Sequence, residues 1–359
     1  MPTGGSVLLT RSEQASANEH VQVPLYPVRF DPIYQYRPWG GRQLAKLLRA
    51  PLPAEGPIGE AWALSDRRDF QSRVSDGPLK GMALHQLLEQ FPEQVMGTMA
   101  LPSGRFPLLL KFLDVRDLLS VQVHPSDEHA DHLSEGETGK TEAWVVLRAE
   151  PKSRIYAGLR PGTSREDLQR AVDDGTLADN LACFAPRTGD AVLIPAGTVH
   201  ALGLGVVVFE VQQNSDITFR LYDWDHVDPR TGLARPLQVD QAIACTDFAR
   251  GALHPEVPVP EGTTPTVRER LVDCEQFRLW RISGRSPFTV GARGVPRVLV
   301  CIAGAGAVEY EDAAYEIRRG DVMLLPAVTG VCLFRPSGPA KVLEVALPTG
   351  ALQSRSGPS

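Results

Sequence analysis

Apolar residues in this chain fall into short runs punctuated by Gly, Pro and Asp, and most runs have the length and β-branched or aromatic content of strands. In the first two thirds they are EAWALS at 60–65, PLLLKFLDV at 107–115, LLSVQVHP at 118–125, TEAWVVLRAE at 141–150, DAVLIPAG at 190–197, VVVFEVQQ at 206–213 and ITFRLYDW at 217–224. Further on come FRLWRIS at 277–283, RVLVCIAGAGAVEY at 297–310, AYEIRRGDVMLLPA at 314–327 and AKVLEVALP at 340–348. Helical spacing is confined to two places. Leu84, Leu87, Leu88, Phe91, Val95 and Met96 predict an amphipathic helix within 80–99, interrupted by Pro92, and 163–181 reads as a second, with Thr163 or Ser164 as N-cap. Many short strands with few helices between them predict a mainly β protein, a sandwich or barrel rather than a βαβ fold.

The pattern divides the chain. Residues 1–25 are small and polar and are expected to form a flexible tail, 26–250 a first unit, 251–268 a linker where Pro, Gly and Thr cluster, and 269–350 a second unit. A weak internal repeat crosses that linker: GDAVLIPA at 189–196 matches GDVMLLPA at 320–327, continuing as GTVH in the first copy and VTG in the second. If the two are corresponding turns of duplicated barrels, one copy keeps a histidine suited to a metal and the other has lost it.

Composition narrows the function. With 359 residues, 43% hydrophobic and 22% charged, the chain has the make-up of a globular protein. Its formal net charge of -6 comes without a long basic run, so the footprint of a nucleic-acid binder is missing. Five well-separated cysteines without a CxxC predict reduced thiols and a cytoplasmic setting. Neither a secretory signal nor a membrane span is expected, because the first twenty residues lack a basic and apolar leader and no long apolar run follows.

Candidate chemistry gathers around four residues. In a strand, residues two apart share a face, so Gln122 and His124 of VQVHP can converge on one ion while Val121 and Val123 pack behind them. The same pattern also fits an ordinary strand with two polar side chains. Glu142 opens the run AWVVL, and His200 follows a Gly-Asp turn, an apolar strand and a Pro-Ala-Gly turn that fix its direction. Two imidazoles, a carboxylate and an amide oxygen make an N/O shell for a borderline divalent ion. Glu210, Asp216 and Arg220 are set among hydrophobic strands, where a cleft or a hydrogen-bonded network must compensate their charges.

These residues occur in seven ordered blocks: PWGG at 38–41, IGEAW at 58–62, LLKFLDV at 109–115, LSVQVHP at 119–125, GKTEAW at 139–144, GDAVLIPAGTVHALG at 189–203 and EVQQNSDITFRLYDWD at 210–225. Together they resemble the type I mannose-6-phosphate isomerases, in particular their compact bacterial form. The resemblance implies two cupin-like β-barrel (jelly-roll) domains with a few helices, the second degenerate and metal-free. It implies one Zn2+ per chain on Gln122, His124, Glu142 and His200, with Arg220 as a catalytic residue beside the substrate and Glu210 and Asp216 as further catalytic candidates. Lys140 and Ser120 are implied to touch phosphate or sugar oxygens. The implied reaction interconverts mannose 6-phosphate and fructose 6-phosphate through an enediol or enediolate, with Glu210, Asp216 or a metal-bound water as base. His226 stands where many relatives carry Arg. A phosphorylated hexose is the expected partner, with no nucleic acid and no membrane, for a monomer or small homo-oligomer. The residues themselves also leave open another metal-dependent cupin enzyme or a non-catalytic sugar-phosphate-binding cupin.

Overall fold

The structure is a computed structural model that describes residues 25–347 apart from 49–50, 100, 102–103, 130–132, 134–136 and 263. The expected tail, 1–25, lies outside the described residues except for Leu25, which is buried.

Four antiparallel sheets make two barrels. The first large sheet has the order β2 (Ile33–Gly41), β3 (Ile58–Leu64), β4 (Leu108–Val115), β11 (Val206–Gln213), β6 (Glu142–Ala149), β9 (Ala191–Ile194). It faces a five-stranded sheet ordered β12 (Phe219–Tyr222), β5 (Val121–Val123), β10 (His200–Leu202), β7 (Ile155–Leu159), β8 (Leu181–Phe184). The second large sheet runs β1 (Val28–Arg29), β20 (Val322–Leu325), β17 (Arg297–Ala303), β22 (Ala340–Ala346), β15 (Arg278–Gly284), β14 (Val267–Asp273), β13 (Val259–Gly262). Opposite it lies a sheet of β16 (Phe288–Gly291), β21 (Val331–Pro336), β18 (Ala305–Tyr310) and β19 (Ala313–Arg318).

Strand alternation accounts for the layers, since each strand sends alternate side chains to opposite faces. Leu113, Val115, Trp144, Val146, Val206 and Val208 point inward and fill the first barrel. Their neighbours Leu110, Phe112, Val145, Phe209 and Val211 point outward and join Leu271, Leu279, Val298, Leu324 and Leu343 of the second large sheet in one continuous core, so the two large sheets pack back to back. This is why β4 and β11 read as nearly unbroken apolar runs: both of their faces are buried.

The helices are few and peripheral. α1 (Leu84–Gln90) and α2 (Pro92–Met96) split at the expected proline, which occupies the first turn of α2, where its missing N–H costs nothing. They pack into the shared core through Leu84, Leu87, Leu88, Val95 and Met96. α3 (Arg165–Asp173) begins at Ser164, whose hydroxyl accepts from Asp167 N–H at 3.1 Å. α4 (Val239–Cys245), absent from the sequence reading, covers the outer face of the five-stranded sheet together with α3.

Hydrogen bonding crosses the expected domain limits twice. The supposed linker 251–268 contributes β13 and the start of β14 to the second large sheet. At the other end β1, from the segment assigned to the first unit, pairs with β20, Val28 opposite Leu324. Among the described residues no helix is long and apolar enough to cross a membrane.

Candidate metal centre and substrate cavity

Register sets the floor of the first barrel. In the five-stranded sheet His200 stands opposite Gln122, and Gln122 opposite Arg220, so these three side chains share one face. In the facing sheet Trp62, Lys111, Glu210 and Trp144 form one row across β3, β4, β11 and β6, with Glu142 two residues before Trp144 on the same face. Closing the barrel brings the two faces together.

His124, Glu142 and His200 meet at the bottom, all buried, with their ligand atoms within 4.8 Å of one another. Glu142 Oε1 lies 3.3 Å from His200 Nε2, and Oε2 lies 3.4 Å from His124 Nε2. Each imidazole faces a carbonyl with its other nitrogen: His124 Nδ1 is 2.7 Å from Ile217 O, and His200 Nδ1 is 2.9 Å from Thr198 O. Donation to those carbonyls fixes the tautomer and turns both Nε2 lone pairs inward, that of His124 lying 3.0 Å from Lys140 Nζ. Burial, then Lys140, lowers His124 to about 3, and burial also lowers His200. Burial alone would raise the Glu142 carboxyl, but Lys140, His124 and His200 together outweigh it and hold it well below the usual range.

Three lone-pair donors therefore point at one another with no proton of their own to share. Lys140 Nζ approaches Glu142 Oε2 at 2.9 Å, yet that oxygen makes no hydrogen bond of good geometry. A cation resolves such a cluster. Metal bonds of about 2.0–2.1 Å place adjacent tetrahedral ligands roughly 3.3 Å apart, close to the carboxylate-to-imidazole distances here, so the donor set fits a divalent ion. Gln122 lies beside the three. Its Nε2 lies 3.2 Å from His200 Nε2 and 3.4 Å from His124 Nε2, while its Oε1 accepts from Ser120 Oγ at 3.1 Å. A half-turn of the amide would aim the oxygen at the cluster and its NH2 at Ser120.

Above the cluster opens a cavity of about 370 Å³, within the range that holds a small polar substrate. Gln122, Lys140, Glu142, Glu210, Asp216 and Arg220 all line it. Ser120 does not: expected to touch the substrate, it is fully buried and bonded to Gln122, which it supports. Glu210 is 3% exposed, and its Oε2 accepts from Trp144 Nε1 at 2.9 Å. Its Oε1 accepts no hydrogen bond, with Lys111 Nζ 3.6 Å away. Burial and then the Glu142 charge push the Glu210 carboxyl up to about 7. Asp216 is half-exposed and lies 3.7 Å from Lys111.

Several lining groups escaped the sequence reading. Lys111 is the lone charge in PLLLKFLDV, and an isolated lysine in a strand buried on both faces is itself a signal. Glu60 and Arg37, paired bidentately at 3.0 and 3.1 Å, lie within or beside the IGEAW and PWGG blocks. Burial would raise Glu60, but Arg37 and Lys111 outweigh it and hold it down to about 2. Trp39 Nε1 lines the same cavity, buried and without a partner.

Two back-to-back cupin-like barrels, one with a histidine-carboxylate cluster suited to a metal ion under a polar cavity, define a bicupin. Residues 28–143 match the catalytic domain of type I phosphomannose isomerases. The chain is 35% identical over 307 residues to the mannose-6-phosphate isomerase ManA of Bacillus subtilis, covering 84% of this chain and 93% of that one. It is 36% identical over 293 residues to a mannose-6-phosphate isomerase of Streptococcus mutans, covering 80% and 88%. The crystal structure of a Bacillus subtilis mannose 6-phosphate isomerase superposes with a TM-score of 0.83 at 29% identity, covering 90% of this chain and all of the other. The chain belongs to the type I phosphomannose isomerase family.

Proposed function

We propose that the protein is a zinc-dependent aldose-ketose isomerase that interconverts mannose 6-phosphate and fructose 6-phosphate through an enediol or enediolate. The observation that carries this reading is the lone-pair cluster of His124, Glu142 and His200 beside a buried carboxylate, Glu210, that has one oxygen held and the other facing the cavity. Gln122, His124, Glu142 and His200 would hold the ion. When bound, zinc supplies a Lewis acid that orders the sugar oxygens and polarises the carbonyl.

The remaining work falls to side chains. Moving a proton between C1 and C2 needs a base whose pKa lies near the working pH, and Glu210 meets that condition better than the half-exposed Asp216. Trp144 fixes Glu210 Oε2, leaving Oε1 to take the proton from one carbon and return it to the other. Negative charge that develops on the sugar oxygens meets Arg220, which has no carboxylate partner of its own among the described residues, and Lys111 balances the acids on the wall. No electrons leave the sugar, so no redox cofactor enters. The same reading gives a cytoplasmic enzyme, acting as a monomer or small homo-oligomer, in which the cysteines stay reduced.

The test is oxygen-independent turnover of mannose 6-phosphate by the purified protein, followed as fructose 6-phosphate, before chelation, after chelation and after zinc return. Zinc-restored turnover is expected. A folded, zinc-loaded protein that leaves mannose 6-phosphate unchanged would overturn the reading.

A further inference from the structure

The cavity has five cationic side chains, and they are not equivalent. Lys111 and Lys140 sit at the floor, 4% and 5% exposed, facing Glu210 and Glu142. A phosphate dianion there would lose its water and meet two carboxylates. All three nitrogens of Arg37 are engaged, Nε and Nη2 by the oxygens of Glu60 and Nη1 by Tyr36 O. Arg220 and Arg235 remain. Arg220 has no side-chain hydrogen bond or ion pair among the described residues, and its Nε is buried and unpartnered. Burial, then the nearby charge of Arg235, lowers its pKa. Two guanidinium groups held close, one of them with no carboxylate of its own, attract an anion.

The chain brings Arg235 there by a definite route. After β12, Trp224 and Asp225 both adopt left-handed backbone, φ 55°, and turn the chain outward, with Trp224 Nε1 donating to Leu119 O at 2.8 Å. Val227 bridges Ala234, closing a loop that returns to its start. Arg235 Nε then donates to Asp223 Oδ2 at 2.8 Å, and its Nη2 donates to Oδ1. Asp223 is buried, so this pair fixes the guanidinium plane while its other N–H groups meet no protein acceptor among the described residues. The loop's other cations point elsewhere: Arg230 stacks on the Tyr36 ring at 3.4 Å, and His226 lies 3.7 Å from Asp117.

Position along the sheet completes the case. β12 is an edge strand, one strand spacing of about 4.8 Å from Gln122 on β5. The segment after Arg235 runs along that free edge, Gln238 N–H donating to Arg220 O at 2.9 Å. The order is therefore metal centre, Arg220, Arg235. The length of a hexose chain separates its reacting carbons from its phosphorus in the same sense. We infer that Arg235, oriented by Asp223, binds the phosphate end of the substrate, one step further from the metal ligands than Arg220. The inference rests on the sugar-phosphate reading above and names the residue that reads the phosphate.

The experiment compares wild type, Arg235→Gln, Asp223→Asn and the double variant in the zinc-loaded protein. It reads KM and kcat for mannose 6-phosphate, the dissociation constant of inorganic phosphate, and bound metal. Loss of a charge-assisted contact in Arg235→Gln should raise KM and the phosphate constant about 10- to 100-fold, leaving kcat within a few-fold and metal unchanged. Asp223→Asn should shift KM in the same direction by less. Because Arg235→Gln leaves Asp223 buried and unpaired, the double variant guards against a folding defect and should show the same KM effect. Phosphate binding indifferent to Arg235 in a protein that turns over mannose 6-phosphate would overturn this inference alone. A protein without turnover whose phosphate binding still falls in Arg235→Gln would keep it and overturn the sugar assignment.

Discussion

The two barrels use one register for opposite purposes. In the first, Glu142 stands opposite Ile194, and Trp144 opposite both Val192 and Glu210. In the second, Arg297 stands opposite Leu325, and Leu299 opposite both Met323 and Glu344. Ile194 and Leu325 occupy the same place in the repeated octapeptide, so Arg297 takes the position of Glu142, and Glu344 that of Glu210. The facing sheets agree, with Gly291 opposite Val331 where Gln122 stands opposite His200. An arginine and two apolar positions have replaced a carboxylate, an amide and an imidazole. The retained Glu344 is satisfied in a way that Glu210 is not: it takes Arg268 at 2.9 Å and Gly291 N–H at 3.0 Å, with Arg297 at 3.7 Å. Among the described residues, every buried side-chain polar atom left without a partner lies between Trp39 and Arg220, none in the second barrel. A stable polar network closes upon itself, whereas a working site leaves groups open for what it binds.

His200→Ala should break this comparison most severely. It removes a ligand atom from a cluster whose members lack protons, and makes the first barrel resemble the second at Val331. Bound metal and turnover should both vanish in a protein that still folds, whereas Val331→Ala should leave both intact. Metal analysis beside kinetics decides, and full turnover by His200→Ala would sink the site assignment.

The two buried glutamates make the next contrast. Glu210→Gln should lower kcat about 10²- to 10⁴-fold while metal stays bound, because the proton acceptor is lost and the ligands are not. Glu344→Gln should do the reverse. It leaves kcat unchanged and costs about 2–3 kcal/mol in urea unfolding, since Arg268 and Arg297 lose their shared counter-charge. Equal kinetic effects from the two substitutions would deny that the barrels have diverged in role.

Much of this contrast was legible in the sequence because it follows short-range rules. Period-two alternation puts Gln122 and His124 on one face, and the repeated Gly-Asp-to-Pro-Ala segment reveals the duplication. Register was not legible. Which strand faces which is a long-range matter, so the row joining Lys111 to Glu210 emerges only when β4 meets β11. The stretch 251–268 reads as linker because Pro260 and exposed residues mask β13, which as an edge strand tolerates both. α4 has no side-chain cap and only seven residues, so packing against the sheet rather than a local signal defines it.

Acidity sharpens the comparison further. Burial and Glu142 push Glu210 up to about 7. Since the base must be ionised to accept a proton, kcat/KM should fall about tenfold per pH unit as pH drops below that value and level off above it. A bound cation neutralises part of the Glu142 charge, so the metal-loaded midpoint should lie at or below about 7. Glu344→Gln should leave the midpoint in place. A profile flat through pH 5 would remove Glu210 from the role of base.

The smallest effect is expected where the chain enters the molecule. Tyr26 stacks on Tyr315 with ring centroids 5.7 Å apart, β1 pairs with β20, and Arg29 reaches Asp76 and Asp321. Among the described residues, these contacts of residues 26–29 are made largely with the second barrel. Removing residues 1–22 ends short of all of them and should change neither unfolding free energy, within about 0.5 kcal/mol, nor turnover. Removing residues 1–30 takes away Leu25, Val28 and Phe30 as well, which lie in the core shared by the two large sheets. That deletion should lower stability by several times as much while leaving the geometry of the metal ligands, and so kcat in the folded fraction, near wild type. Urea unfolding of the two truncations, with kinetics on each, separates these outcomes. A kinetic loss in the shorter deletion would mean that the first 22 residues contribute to the catalytic barrel.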